Sequence, residues 1–464
     1  MTHPLARFSK TLAAPDLIAR LREGTIGEGR RFDTPYGTRT LVYADYVASG
    51  RALRMVEDFV LEEVLPIYAN SHSEASFCGA SVTQLREAAR ASIARLCGAG
   101  DDCATIFSGS GATSGLNRTV ALLGLPEAVA AGRAVQVFIG PYEHHSNILP
   151  WRESGAEVIE IAEAASGGPD LAELARALQQ APKGALTIGS FSAASNVSGI
   201  LTDTDAVTRL LKAHGALAVW DYAGAGPYIA ISMGAGDARK DVVAVSAHKF
   251  IGGPAASGVL ILRKSALARA KPSQPGGGTV RFVSPWGHDY ASDVEAREEA
   301  GTPNVIGDIR AALAFMVKDA IGQDYIDARH AAHLQRARTA WAAQPAITIL
   351  GHATAPRLPI FSLLIKAPQG YVDPQVFTRA LSDQYGIQAR GGCACAGPYG
   401  HRLLGIDRAT SDQMRAAILS GDETNKPGFT RLNFSALMPD EKADFIINAV
   451  SALAGAQQSL RCAG

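Results

Sequence analysis

The sequence has no excess of charge of either sign. Its 464 residues include 44 Lys and Arg residues against 44 Asp and Glu residues, so the formal net charge is +0 with neutral histidines. Proteins that bind nucleic acid or anionic lipid surfaces need surplus basic side chains to neutralise phosphate groups. We therefore expect neither nucleic acid nor a membrane as a partner.

Cysteine and long apolar runs are also scarce. The six cysteines are too sparse and irregular for the disulfide framework of a small secreted domain, and we expect reduced thiols. No uninterrupted apolar run approaches the ~20 residues that span a bilayer. Residues 1–30 lack the apolar block of a secretory leader. These absences predict a cytoplasmic protein. The cysteines are Cys78, Cys97, Cys103, Cys393, Cys395 and Cys462.

The chain does contain enough apolar material for more than one domain, since 47% of it is hydrophobic. In the first half, short β-rich runs alternate with segments of helical period, which predicts an α/β domain over 41–310 with a mainly parallel sheet flanked by helices. From 311 to 464, Ala-rich helical segments with isolated strands predict a smaller α+β domain. Residues 1–40 would pack with that smaller domain. The predicted strands of the larger domain are 134–140, 158–161, 185–192, 217–222, 242–248 and 258–264.

A lysine and an aspartate follow two of these strands. Lys249 lies in SAHKFIGGP (246–254), and Asp221 ends LAVWDY (217–222). The segment between them is long enough for one crossover between neighbouring strands, so both side chains would face one crevice. Pyridoxal phosphate (PLP) requires such a pair, because a carboxylate holds its pyridinium nitrogen protonated while a lysine amine forms the imine. A solvated lysine and a structural salt bridge are the alternative interpretations.

A third feature is the Gly- and Ser-rich turn in FSGSGATSGLNRTVALLG (107–124). Small residues ahead of a helix let backbone N–H groups approach a phosphate, and Ala112, Thr113 and Ser114 would form that cradle. The glycines do not fit GxGxxG, and no Gly-Lys-Ser/Thr follows, which disfavours nicotinamide and P-loop sites. A tight turn without a ligand is the alternative.

Two further segments carry reactive side chains. In PYEHHSN (141–147) a histidine would either stack on a cofactor ring and shuttle protons, or cap the following helix. In ARGGCACAG (389–397), Arg390 is suited to a substrate carboxylate, and either Cys393 or Cys395 to a nucleophile. A Cys-x-Cys metal half-site is disfavoured because no second Cys/His pair accompanies it. We expect no metal.

With these motifs in order over about 40–440, the sequence resembles the class V aminotransferase family of fold-type I PLP enzymes, and most closely its cysteine desulfurase and selenocysteine lyase branch. The resemblance implies a large domain with a seven-stranded type of sheet, a smaller α+β domain and a homodimer. It also implies an amino-acid substrate and a possible sulfur-acceptor protein.

The family's functional residues carry over onto matching positions of this chain. By resemblance, Lys249 forms the Schiff base, Asp221 pairs with the pyridine nitrogen, and His144 stacks on the ring. Thr113, Ser246 and His248 would bind the phosphate, with Ala112 in the same cradle. The remaining implied roles are Asn196 near the phenolic oxygen and substrate, Thr302 at the phosphate of the opposite subunit, Arg390 at the substrate carboxylate, and Cys395 as the persulfide-forming cysteine.

The sequence departs from the desulfurase pattern at two places. Desulfurases usually have Asp-x-x-Gln, whereas DYAG (221–224) places Gly224 at the Gln position, and CACAGPYGH (393–401) looks more like the molybdenum-cofactor sulfurase variant of this loop. We expect removal of sulfur, or selenium, from L-cysteine or a close relative, with Lys249 as base and Cys395 as nucleophile. A PLP-dependent aminotransferase, epimerase or C–S lyase without a persulfide is the main alternative, and a scaffold with a degenerate site is a second.

Overall fold

The computed structural model describes residues 3–69, 74–368, 370–423 and 426–456. The helices are α1 (Pro4–Leu12), α2 (Leu17–Glu23), α3 (Arg54–Phe59), α4 (Phe77–Leu96), α5 (Gly111–Leu122), α6 (Leu125–Ala130), α7 (Leu149–Glu153), α8 (Leu171–Gln179), α9 (Thr204–Ala213), α10 (Val294–Glu298), α11 (Val305–Ile321), α12 (Gln323–Ala342), α13 (Pro374–Tyr385), α14 (Gly397–Leu404), α15 (Arg408–Leu419) and α16 (Asp440–Gly455).

The strands are β1 (Arg31–Thr34), β2 (Gly37–Thr40), β3 (Val42–Tyr43), β4 (Cys103–Phe107), β5 (Val135–Ile139), β6 (Glu157–Glu160), β7 (Leu186–Ser192), β8 (Leu217–Asp221), β9 (Val242–Ser246), β10 (Gly258–Arg263), β11 (Val280–Ser284), β12 (Gly287–Tyr290), β13 (Ile347–Ile349), β14 (Ile360–Ala367), β15 (Gly370–Tyr371), β16 (Ile387–Gln388), β17 (Arg390–Gly392) and β18 (Phe429–Asn433).

The larger sheet has seven strands in the order β4-β10-β9-β8-β7-β5-β6. The pairs among β6, β5, β7, β8 and β9 are parallel, whereas β10 is antiparallel to both β9 and β4. This confirms the predicted α/β class with a mainly parallel sheet flanked by helices. All six predicted strands are present, although 242–248 ends at Ser246 because Ala247–Lys249 form a 3₁₀ turn.

Helices cover both faces of this sheet, which explains why its strands lack polar alternation. In β9, Val243 and Val245 point into the core that contains α4 and α11, whereas Val242 and Ala244 point into the core that contains α5. The hydrogen-bonded register aligns Ser192 with Asp221 across β7 and β8. The carboxyl ends of the parallel strands therefore lie together at one edge, where α/β folds place their ligands.

A second sheet, β13-β14-β18-β17, is antiparallel and has β15 at the side of β14. Its core contains Trp341, Phe361 and Phe434. Helix α1 packs on α4 and α11, whereas β2 contacts α13. The division at 40 and 310 stays a prediction. Within the described ranges, no helix combines the length and apolarity needed to cross a membrane.

Candidate active site

A cavity of about 220 Å³ opens at the carboxyl edge of the larger sheet. The ends of β7, β8 and β9, the first turn of α5 and the loop after β17 contribute to its wall. Among the predicted site residues, Ser114, Cys393 and Thr302 do not line it. The predicted residues that do line it are Ala112, Thr113, His144, Asn196, Asp221, Ser246, His248, Lys249, Arg390 and Cys395.

Lys249 and Asp221 have opposite pKa shifts with the same main cause. Burial raises the pKa of Asp221, which is 3% exposed, although the N–H of Ala223 at 2.7 Å and the charge of Lys249 oppose the shift. Burial lowers the pKa of Lys249 to about 8, and Asp221 opposes that shift in turn. A larger fraction of the Lys249 amine is therefore unprotonated near neutral pH, which is the form that attacks a carbonyl.

The first turn of α5 and the end of β9 form an anion cradle. The Ala112 N–H donates to Ser246 Oγ at 2.9 Å, and Thr113 Oγ1 and Ser146 Oγ are 2.8 Å apart. At Gly111, φ is +66°, and a Cβ atom would lie 2.7 Å from Ser246 Oγ and 2.9 Å from His248 Cε1. Only glycine fits this contact between the two elements. The N-terminus of a twelve-residue helix and the hydroxyl-bearing residues Thr113, Ser146 and Ser246 thus line the same cavity, which suits a phosphate.

His144 caps the following turn and also lines the cavity, and its stacking on a cofactor ring stays a prediction. Its Nδ1 accepts the N–H of Ser146 at 3.1 Å and so caps the 3₁₀ turn His145–Asn147, while the side chain also lines the cavity. Burial, reinforced by Lys249, lowers the pKa of His144 to about 3. The ring is therefore neutral, and with Nδ1 accepting, its proton lies on Nε2.

Beneath His144 lies a buried carboxyl group that sequence analysis missed. Glu143 is 3% exposed and accepts hydrogen bonds from the N–H and hydroxyl of Ser192, at 2.8 and 2.6 Å. Burial raises the pKa of Glu143 to about 7 against these hydrogen bonds. The carboxyl thereby ties the PYEHHSN segment to the end of β7.

A pair of arginines forms the cationic wall, and sequence analysis identified only one of them. Arg390 and Arg431 are cross-strand partners in β17 and β18, and Asp45 bridges them at 3.1 Å from Arg390 Nε and 2.9 Å from an Arg431 amino group. Arg431 is buried, whereas the Arg390 side chain is 45% exposed. Arg390 is thus the guanidinium that an incoming carboxylate can reach. The sequence signal that could have identified Arg431 is its position inside the otherwise apolar strand FTRLNFS.

The two loop cysteines differ in exposure and in access to the cavity. Cys395 is exposed and lines the cavity, whereas Cys393 is half-buried and is absent from the cavity lining. Ala394 and Cys395 have φ values of +52° and +56°. Such backbone angles are costly outside glycine, and they cluster at functional sites.

Asn196 lies next to Gly224, where the desulfurase pattern has glutamine. A Cβ atom at 224 would lie 3.3 Å from the Ala194 carbonyl oxygen and 3.5 Å from Asn196 Cβ. The Asn196 Nδ2 donates one hydrogen to the Ala394 carbonyl at 2.8 Å, and its second hydrogen remains for another acceptor. The Asn196 Oδ1 has no partner among the described residues. This amide is therefore available to a cavity ligand. With the anion cradle, the buried carboxylate and the amine, the residues present fit PLP.

Thr302 is exposed and does not line the cavity, so its predicted role at an opposite subunit remains a prediction. In the part of the chain that the structure describes, no group of three or more His, Cys, Asp and Glu side chains is arranged to hold a metal ion.

The fold and the site define an α/β enzyme of the PLP-dependent class. Comparison with protein families then identifies the family directly: the model named aminotransferase class-V matches residues 42–422. The chain belongs to this family.

Several of its relatives are named cysteine desulfurases. It is 29% identical over 363 residues to a probable cysteine desulfurase from Streptomyces coelicolor, covering 77% of this chain and 84% of that protein. It is 31% identical over 363 residues to a probable cysteine desulfurase from Vibrio cholerae, covering 77% and 85%. Among solved structures, the apo cysteine desulfurase from Thermococcus onnurineus has a TM-score of 0.74 at 22% identity, covering 90% of this chain and 95% of that one. The cysteine desulfurase CsdA from Escherichia coli has a TM-score of 0.73 at 21% identity, covering 95% and 98%. At such identities the structures show the shared fold.

Proposed function

We propose that this protein is a PLP-dependent, cysteine desulfurase-like enzyme that removes sulfur, or selenium, from L-cysteine or a close relative. The observation that carries the proposal is one cavity that combines Lys249 and the buried Asp221 with the exposed thiol of Cys395. The names of the relatives support the same reaction.

The residues that would hold PLP surround the cavity. Ala112, Thr113, Ser246 and His248 would bind its phosphate, Asp221 would pair with its pyridine nitrogen, and Lys249 would hold it as a Schiff base. When bound, PLP supplies an electron sink that stabilises negative charge at the substrate Cα. The neutral ring of His144 is suited to stack on that group without placing a second cation beside the pyridinium.

Substrate binding is assigned to Arg390 and Asn196. Among the described residues, the Arg390 guanidinium is bound only through Nε, to Asp45, so its other N–H groups can grip a carboxylate from the cavity side. Asp45 and Arg431 fix the orientation of that guanidinium. Arg390 would therefore set the substrate Cα close to Lys249, whose lowered pKa suits it to take the Cα proton.

Cys395 is the proposed sulfur acceptor. Its thiolate would attack the substrate sulfur, the Cβ–S bond would break, and the electron pair of that bond would end, with a proton, on the Cβ of alanine. The transferred sulfur would remain on Cys395 as a persulfide. Cys393 does not line the cavity, which favours Cys395 as the acceptor.

Product analysis after incubation of the purified holoenzyme with L-cysteine tests this proposal. We expect alanine from the unchanged protein, and a persulfide on the Cys395 peptide of C393A, which should keep at least part of the alanine production. We expect C395A to lose persulfide formation. Pyruvate with sulfide would indicate a C–S lyase, and full alanine production by C395A would exclude the persulfide step. No product from L-cysteine would favour an aminotransferase or an epimerase.

The wider setting follows from the same proposal. We propose a homodimer in the cytoplasm, with the site at the subunit interface, and a sulfur-acceptor protein as a further partner.

A further inference from the structure

The two thiols of the CAC segment lie at the first and third positions of one tight turn. The N–H of Ala396 donates to the Cys393 carbonyl at 3.3 Å, and the two residues between them, Ala394 and Cys395, both have positive φ. This is the pattern of a type I′ turn. A turn that closes within four residues holds the Cα atoms of its first and third residues near the ~4.4–6.8 Å separation that disulfides require.

Hydrogen bonds from outside the loop hold this turn in place. Asn196 Nδ2 donates to the Ala394 carbonyl at 2.8 Å, and the His145 N–H donates to the Cys395 carbonyl at 2.8 Å. The Gly397 N–H donates to His145 Nε2 at 2.9 Å. Because a left-handed backbone is unfavourable for residues other than glycine, these contacts stabilise a conformation that would otherwise relax. The turn therefore keeps the two cysteines adjacent.

The two positions also differ in access. Cys395 is exposed to the cavity, where substrate sulfur would arrive, whereas Cys393 is half-buried behind the same turn. A metal half-site does not account for the pair, because the described residues contain no further cluster of ligands around it. The arrangement is that of an attacking thiol with a second thiol next to it.

We propose that Cys393 is a resolving thiol that releases the sulfur from Cys395 as hydrogen sulfide. This rests on the proposed function, which supplies the persulfide. The Cys393 thiolate attacks the Sγ of Cys395, an S–S bond forms between the two cysteines, and the terminal sulfur leaves with the electron pair of the broken bond. With one proton it becomes HS⁻ and with a second H₂S. The terminal sulfur is reduced to sulfide and the Cys393 sulfur is oxidised, whereas the Cys395 sulfur exchanges one S–S bond for another and keeps its oxidation state.

The next turnover requires reduction of that disulfide. A thiol reductant, either a small thiol or a protein dithiol, would return Cys393 and Cys395 to the reduced state by exchange, ending as its own disulfide. The protein would then release inorganic sulfide and consume thiol, and the proposed sulfur-acceptor protein would compete with Cys393 for the same persulfide.

A single-turnover experiment tests the proposal. The fully reduced holoenzyme, freed of added thiol, is mixed with limiting L-cysteine, and alanine, sulfide and the mass of the loop peptide are measured. We expect about one sulfide per alanine without any reductant, and a loop peptide lighter by two hydrogens, because the resolving step is internal. C393S should form alanine in the first turnover but retain its persulfide until an external thiol is added. C78S, altered at a cysteine outside the cavity, is the matched control and should behave as the unchanged protein.

The outcomes separate this inference from the function on which it rests. Alanine with a stable Cys395 persulfide and no sulfide would overturn the resolving role and leave the desulfurase proposal standing. Equal sulfide release from C393S and the unchanged protein would overturn it as well. Absence of alanine would overturn both.

Discussion

At the scale of single residues, hydrogen bonding and access to the cavity, rather than burial, determine which lysine can react. Lys318 also has its pKa lowered by burial to about 8, and it contacts the ring of Phe250 next to Lys249. Its Nζ, however, donates to the carbonyl oxygens of Gly226, at 2.7 Å, and Ile229. The amine of Lys318 is therefore held by the backbone, whereas Lys249 lines the cavity.

This contrast gives a prediction for Lys249→Ala. We expect the variant to remain folded, because a short apolar side chain at a cavity wall costs little packing, and to lose the imine with PLP completely. Borohydride reduction followed by peptide mapping measures the imine, and circular dichroism checks the fold. Labelled PLP on the Lys318 peptide, in the variant or the unchanged protein, would contradict the assignment.

Asp221 carries a second prediction at this scale. In Asp221→Asn we expect cofactor content to remain near normal, because the phosphate cradle at Ala112 and Ser246 is intact, while turnover falls by about 100-fold since an amide cannot keep the ring nitrogen protonated. Bound PLP and kcat are measured on the same preparation. Asp237→Asn, at an exposed surface ion pair, is the control. Near-normal turnover in the Asp221 variant would remove its electronic role.

At the scale of elements, the Cys395 turn depends on the PYEHHSN segment. His145 contributes its backbone N–H and its ring Nε2 to the turn, and only the ring contact is lost on substitution. We expect His145→Ala to lower the rate of sulfur transfer by about 10- to 100-fold, because the thiol is no longer fixed against the substrate. PLP content should not change. The measurements are single-turnover persulfide formation and the rate of alkylation of Cys395.

The alkylation rate distinguishes positioning from simple damage. If the turn is loosened, iodoacetamide should alkylate Cys395 faster than in the unchanged protein. A misfolded variant would also lose PLP. His214→Ala, at the exposed end of α9, serves as control. Unchanged sulfur transfer in the His145 variant would show that the ring contact does not position the thiol.

The elements also show what the sequence could predict. Uniformly apolar runs such as VVAVS predicted the buried strands, and the polar residues that follow these runs predicted most of the residues that line the cavity. The sequence could not predict that β10 runs antiparallel to its neighbours, because a strand buried on both faces has the same apolar pattern in either direction. Asp45 and Arg431 form an ion pair but are 386 positions apart in the chain, so no local sequence pattern could predict the pair. The positive φ values of Ala394 and Cys395 were equally hidden, since neither residue type favours them.

At the scale of the whole molecule, an exposed hairpin lies beside Thr302, which does not line the cavity of its own chain. The hairpin of β11 and β12 presents Phe282, Val283 and Trp286, which are 59%, 62% and 92% exposed. The N–H of Gly301 donates to the Gly277 carbonyl at 2.8 Å, so Thr302 is tethered near the base of this hairpin. Exposed apolar clusters of this kind mark interaction surfaces. A second copy related by a twofold axis would bury the hairpin and bring its own Thr302 into use.

We therefore expect the purified protein to have twice the mass of one chain by size-exclusion chromatography with light scattering. Trp286→Asp should shift the particle toward the single-chain mass, because a carboxylate buried in an apolar contact without a partner is strongly unfavourable. Tyr36→Asp, at another exposed aromatic residue, should leave the mass unchanged. Thr302→Ala should keep the doubled mass but release PLP more readily on dialysis, because it would remove the phosphate contact predicted for Thr302 at the opposite subunit. A single-chain mass for the unchanged protein at all concentrations would contradict the dimer, and undiminished PLP retention in the Thr302 variant would contradict the shared site alone.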